Sequence, residues 1–192
     1  EKAIEYHQQA LSIDREIGDR RGEGIDLGNL GDAYRELGQM EKAVEYYQQA
    51  LCIAHNIGDR RYEGEWLGNL GNVYSALDQV EKALGYYDKA LAISQEIGDR
   101  RNGSAWLSGL GDIYRKLNQM EKAQEYCEKG LKLAREIGDR IGIANLSKKM
   151  GYIYDSLGQK EKAKQYLQES YSILVDLKSP GAESVRIFLE SL

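Results

Sequence analysis

The chain has 192 residues, 42% of them hydrophobic and 30% charged, too apolar for a disordered segment and long enough for a sizeable folded unit. Its 26 Lys and Arg against 31 Asp and Glu leave a net charge of -5, so no global positive field exists to hold nucleic acid or an anionic membrane surface. Two cysteines and two histidines cannot build a four-ligand zinc site or a disulfide framework.

The chain opens on a charged amphipathic segment, Glu1 to Arg20, with none of the marks of a signal peptide, and no run approaches the roughly 18 apolar residues of a membrane span. The cytosol is the expected compartment. This segment ends in Ile17-Gly18-Asp19-Arg20, and the same four residues return at Ile57, Ile97 and Ile137. Glu-Lys-Ala recurs in the same 40-residue steps, at Glu1, Glu41, Glu81, Glu121 and Glu161. A fixed period of this length is the mark of a repeat architecture. Residues 1–20 are therefore half a repeat, followed by full repeats at 21–60, 61–100, 101–140 and 141–180. Because the array opens in mid-repeat, the chain is expected to be a portion of a longer array or a larger protein.

Within the first full repeat, Leu27, Leu30, Gly31 and Tyr34 follow helical spacing and predict a helix, A, from Asp19 to Leu37, closed by Gly38. Ala43, Tyr47, Ala50, Leu51 and Ala54 predict a second, B, from Glu41 to Ile57, closed by Gly58, with Asp59 placed to cap the next helix. Asp78 and Asn118 stand where Gly38 ends helix A, and both residue types tolerate the left-handed conformation. The single proline, Pro180, follows the last helix B. Val185, Phe188, Leu189 and Leu192 then predict a terminal helix over 181–192 that covers the apolar end of the array.

Leu-Gly-x-x-Tyr in helix A (Leu30, Gly31, Tyr34; Leu70, Gly71, Tyr74) and Ala-x-x-x-Tyr-x-x-Ala-Leu in helix B (Ala43, Tyr47, Ala50, Leu51; Ala83, Tyr87, Ala90, Leu91) resemble the tetratricopeptide repeat, in the forty-residue form of kinesin light chains, Pins/LGN-type spindle adaptors and bacterial signalling proteins. The resemblance implies an all-α, right-handed superhelical solenoid of antiparallel helix pairs, about 4.5 repeats with a C-terminal helix. It also implies a protein that binds rather than catalyses, with peptides or partner segments held in a concave groove lined by the A helices.

The residues of that groove follow from geometry. At about 100° per residue, the face of helix A opposite Leu27, Leu30, Gly31 and Tyr34 carries Ile25, Asn29, Asp32 and Glu36, with Gly28 and Arg35 on its shoulder. The period extends it through Glu65, Gly68, Asn69 and Asn72, then Ser108, Gly109, Asp112, Arg115 and Lys116, then Asn145, Lys148, Lys149 and Tyr152. Gly28, Gly68, Ser108 and Gly109 are small where glycine costs a helix about 1 kcal/mol relative to alanine, so they either clear room for a ligand or permit close packing of adjacent A helices. Asp32, Asn72 and Asp112 repeat along the face, while Arg115, Lys116, Lys148 and Lys149 gather at its C-terminal end. A bound peptide would meet amide and carboxylate partners first and a lysine cluster for its acidic end last. Trp66 and Trp106 lie on a flank, where packing on the neighbouring A helix is the expected role. Tyr152 is the tyrosine expected to face the groove; Tyr34, Tyr47, Tyr74, Tyr87 and Tyr114 are expected in the core.

No constellation for chemistry accompanies this pattern. His7 and His55 have no convergent nucleophile, Cys52 and Cys127 fall in different repeats, and the glycines from Gly22 to Gly28 lack a phosphate-binding spacing. No cofactor is expected. The partner is a protein or peptide, neither nucleic acid nor membrane, bound by one module of a larger signalling or adaptor protein. The alternative is a structural spacer, with end-to-end self-association through the open N-terminal end.

Overall fold

The computed structural model describes residues 2–192; Glu1, which begins the first Glu-Lys-Ala, lies outside the described residues. All regular structure among them is helical: α1 (Lys2–Ile17), α2 (Arg20–Glu36), α3 (Met40–Asn56), α4 (Arg60–Ala76), α5 (Val80–Ile97), α6 (Arg100–Lys116), α7 (Met120–Glu136), α8 (Arg140–Ser156), α9 (Lys160–Asp176) and α10 (Gly181–Ser191). The chain forms two compact units, residues 1–99 and 100–192. In the first, α2 pairs with α3 and α4 with α5, while α1 packs on α2 and α3 on α4; in the second, α6 pairs with α7 and α8 with α9, and α10 packs on α9.

The three recurrent motifs are the joints of this architecture. In Ile-Gly-Asp-Arg, the glycine takes the left-handed conformation that ends helix B, with φ of +71° at Gly58, and a Cβ there would be strained. The aspartate then caps the next A helix, Asp59 accepting from the Tyr62 backbone N–H at 3.2 Å and Asp139 from that of Gly142 at 3.0 Å. The arginine reaches the last turn of the following B helix: Arg60 to Glu96, Arg100 to Glu136 and Arg140 to Asp176. At the A-to-B turn the same left-handed position holds Gly38 and Gly158 but also Asp78 and Asn118, as their side-chain chemistry permits.

In Glu-Lys-Ala, the glutamate lies in the first turn of helix B, where its charge complements the helix dipole. The alanine is fully buried at Ala43, Ala83, Ala123 and Ala163. The lysine ammonium lies over the tyrosine of Leu-Gly-x-x-Tyr, Lys42 at 5.0 Å from the Tyr34 ring centre and Lys122 at 5.1 Å from that of Tyr114. That ring in turn stacks on a tyrosine of helix B: Tyr34 on Tyr46, Tyr74 on Tyr86, Tyr114 on Tyr126 and Tyr154 on Tyr166, all with centres between 5.1 and 5.4 Å. A cation over a stacked aromatic pair thus closes every hairpin, each contact adding about 0.5–1 kcal/mol beyond area burial.

Candidate functional site

Helix A meets helix B through the glycine of Leu-Gly-x-x-Tyr. A Cβ at Gly31 would fall 2.7 Å from the Tyr47 ring and one at Gly71 2.8 Å from that of Tyr87, so only glycine admits the ring. Each ring passes beneath helix A and delivers its hydroxyl to the opposite face. Tyr47 Oη donates to Asp32 Oδ1 at 2.7 Å, and Tyr87 Oη to Asn72 Oδ1 at 2.7 Å. The tyrosines, expected in the core, are therefore also the struts that orient the predicted binding face. The glycine beside the Asp or Asn was the signal for this connection, since a missing Cβ opens a path through the helix.

In the first unit this face carries half-buried Ile25, Asn29, Asp32, Arg35, Glu65, Asn69 and Asn72. Arg35 Nη2 donates to Asp32 at 3.1 Å, and Asn72 Nδ2 to Asn69 Oδ1 at 3.4 Å. Burial pushes the Glu65 carboxyl above its ordinary value, and the negative charge of Asp32 pushes it the same way. Burial likewise raises the Tyr47 hydroxyl, as does its donation to Asp32, so it remains a protonated donor.

Gly28 does not open onto this face. It is buried, and the Trp66 ring lies where its Cβ would project. Close packing of neighbouring A helices, rather than space for a ligand, accounts for it. Trp66 is 2% exposed and stacks on Tyr47 at 6.0 Å and Tyr62 at 5.6 Å. Gly68 is buried as well and contributes no open surface.

In the second unit Ser108, Asp112, Arg115, Lys148, Lys149 and Tyr152 are half-buried, and Lys116 and Asn145 exposed. Two expectations change here. Lys149 Nζ bonds Asp112 Oδ2 and Ser108 Oγ, each at 2.6 Å, and the Ser108 carbonyl at 3.2 Å. It therefore ties α8 to α6 and neutralises Asp112 instead of joining a free lysine cluster; the long side chain spans helices that the helical projection treats separately. Tyr152 meets Phe188 of α10 edge to face at 4.8 Å and packs against the buried cluster of Ala144, Leu167, Leu174 and Val185. The ring is thus half-buried by apolar packing against the terminal helix instead of standing free on the face. Arg115 Nε is buried with no hydrogen-bond partner among the described residues.

The strut itself changes in this unit. Cys127 replaces the tyrosine and Leu167 follows it; both are fully buried. Burial pushes the Cys127 thiol up to about 12, so it carries no thiolate at neutral pH. His7 Nδ1 lies 3.0 Å from Asp26 Oδ1 and His55 Nδ1 3.0 Å from Glu63 Oε1. No group of His, Cys, Asp and Glu suited to a metal ion occurs among the described residues, and no described helix is long and apolar enough to cross a membrane.

The family model described as the MalT-like TPR region matches residues 1–179. Comparison with the curated proteins finds no match. Among solved structures, BtubC (BKLC) from P. vanneervenii superposes with a TM-score of 0.85 at 20% identity, over 99% of this chain and 81% of that one. A Rap protein complexed with competence and sporulation factor gives 0.76 at 18% identity, over 97% of this chain and 57% of that one. Aspartyl phosphate phosphatase F from Bacillus subtilis gives 0.74 at 20% identity, over 98% of this chain and 54% of that one. At these identities the likeness is one of fold.

Proposed function

The chain belongs to the MalT-like TPR region family, whose fold is generally a protein-interaction scaffold, and from that premise we propose that the A-helix faces bind an extended peptide or flexible partner segment. The observation that carries this reading is the row of polar groups held from behind by helix B: Asp32 by Tyr47 and Asn72 by Tyr87. Side chains fixed in this way lose little entropy when a peptide backbone takes up their remaining donors and acceptors. In the second unit, Arg115 and Lys148 are the groups suited to a partner carboxylate, Lys149 being engaged with Asp112. A Rap protein of similar fold forms a complex with competence and sporulation factor, which supports a binding role for such a scaffold. The role goes with a signalling or adaptor protein of the cytosol, where the free thiols Cys52 and Cys127 persist unpaired, and it assigns the chain no catalytic step.

The test is selection of peptides from a random displayed library on this chain, followed by binding to an Asn29→Arg/Asn69→Arg variant whose circular dichroism matches wild type. Both positions lie on the first unit's face and outside the core. Selected peptides should lose binding to the variant; peptides bound equally by both would remove the first unit's A face from consideration.

A second reading has its own observation. On α1, Tyr6 is 67% and Ile17 70% exposed, apolar surface that suits end-to-end association of the spacer kind. Sedimentation of wild type against a Tyr6→Lys/Ile17→Lys variant decides it: concentration-dependent oligomers abolished by the change support stacking, and a monomer throughout excludes it.

A further inference from the structure

The first unit also contains a groove of about 550 Å³ between α3 and α5, with apolar walls of Leu51, Leu67, Ala92 and Ile93, and with His55, Lys89, Arg60 and Glu63 also lining it. It is distinct from the A-helix face: on α4, Leu67 points about 160° away from Glu65. Its volume falls within the range of small-molecule sites, roughly 300–1,000 Å³.

The repeat shows what completes such a groove. Eighty residues on, Arg135, Ser147 and Glu169 occupy the positions of His55, Leu67 and Lys89. There the Glu169 carboxylate accepts from Arg135 Nη2 at 2.7 and 3.0 Å and from Ser147 Oγ at 2.7 Å, so the chain's own anion bridges α7, α8 and α9. Between α3 and α5 that anion is replaced by a cation. Lys89 Nζ lies over the Tyr86 ring at 6.0 Å, and His55 is turned to Glu63 by its Nδ1. The neighbouring arginine adds no free charge, because Arg60 is bound to both Glu63 and Glu96. An apolar lining with an ammonium beside it, where the equivalent groove holds a carboxylate, is complementary to a ligand that brings both parts.

We infer that the groove between α3 and α5 is a binding site for a small organic carboxylate with an apolar body, the body on Leu51, Leu67, Ala92 and Ile93 and the carboxylate at Lys89. The apolar contact supplies most of the affinity and the exposed ion pair its preference for an anion.

The probe is 4-phenylbutanoate, titrated into the full chain and followed by amide chemical shifts, with 4-phenylbutanamide as the neutral counterpart. Lys89 and Ala92 are exposed, so Lys89→Glu and Ala92→Trp leave the core intact. Saturable shifts confined to residues 48–67 and 89–93 are expected. The amide and the Lys89→Glu variant should each bind about three- to fivefold more weakly, in line with a surface ion pair, and Ala92→Trp should abolish binding by filling the groove. Shifts that are absent at millimolar probe, spread over the surface, equal for acid and amide, or indifferent to both substitutions overturn the proposal. The A-face substitutions Asn29→Arg/Asn69→Arg should leave this binding unchanged, so the failure of one site is told apart from that of the other.

Discussion

Tyr47 of helix B donates its hydroxyl hydrogen to Asp32 of helix A at 2.7 Å, across the gap left by the absent side chain of Gly31. The same geometry joins Tyr87, Gly71 and Asn72. One packing contact therefore serves two ends, since the ring fills the interhelical core while its hydroxyl fixes a polar group on the binding face. Both uses can be separated by experiment.

Tyr87→Phe keeps the ring and removes the strut. A hydrogen bond of this kind contributes about 0.5–1.5 kcal/mol, so the urea midpoint should fall by a corresponding amount while helical content is unchanged. Peptides that use Asn72 should weaken with it, because the amide is then held only by its longer bond to Asn69. Tyr87→Leu, which also removes ring packing, should cost more; equal losses for the two variants would show that the hydroxyl contributes nothing.

Gly28 and Trp66 make a coupled pair. With wild-type Trp66, Gly28→Ala forces the indole aside and should cost about 1–3 kcal/mol of overpacking. With Trp66→Leu already in place, the same change should be neutral or should stabilise by up to about 1 kcal/mol through helix propensity. A double-mutant cycle by urea denaturation gives the coupling directly, and additive effects would mean that the two residues do not share this space.

The contrast between Gly28 and Asp32 shows what the amino-acid pattern alone can convey. Helix bounds, the left-handed turns at Asp78 and Asn118, and the half-exposure of Asn29, Asp32, Asn69 and Asn72 follow from period and angular position, which are properties of one helix at a time. The cover over Gly28, the reach of Lys149 to Asp112 and the seat of Tyr152 against Phe188 depend on side chains crossing between helices. Their length and rotamer, absent from a helical projection, decide those contacts. The groove beside Lys89 was illegible for the same reason: Leu51, Leu67 and Ile93 each read as ordinary core positions, and the groove depends on which side chain reaches across from the neighbouring helix, a lysine here and a carboxylate at Glu169.

The two cysteines should behave as different chemical species. Cys52 is exposed and Cys127 buried, with the Cys127 thiol pushed up to about 12. Reaction with an aromatic disulfide reagent near neutral pH should release one equivalent from the folded chain and a second only in denaturant, and Cys52→Ser should remove the first. A rapid second equivalent from the native protein would mean that the strut position in α7 opens far more readily than its packing requires.

Glu65 sets the pH dependence of the first unit's face. Its folded carboxyl lies above the ordinary value of 4.5, through burial first and the charge of Asp32 second, with Arg61 opposing. Because the folded state holds this proton more tightly than the unfolded state does, its stabilising contribution is fully present below the unfolded pKa and is lost as pH rises through the folded one. At neutral pH Glu65 is therefore a charged group that folding disfavours. Glu65→Gln should raise the urea midpoint at pH 7, and its advantage should shrink as pH falls toward 4, where the wild-type carboxyl is itself protonated. Since Asp32 is one source of the shift, Asp32→Asn should reduce the gain from Glu65→Gln. A gain that is constant from pH 4 to pH 7 would trace the effect to packing of the amide instead of the buried charge.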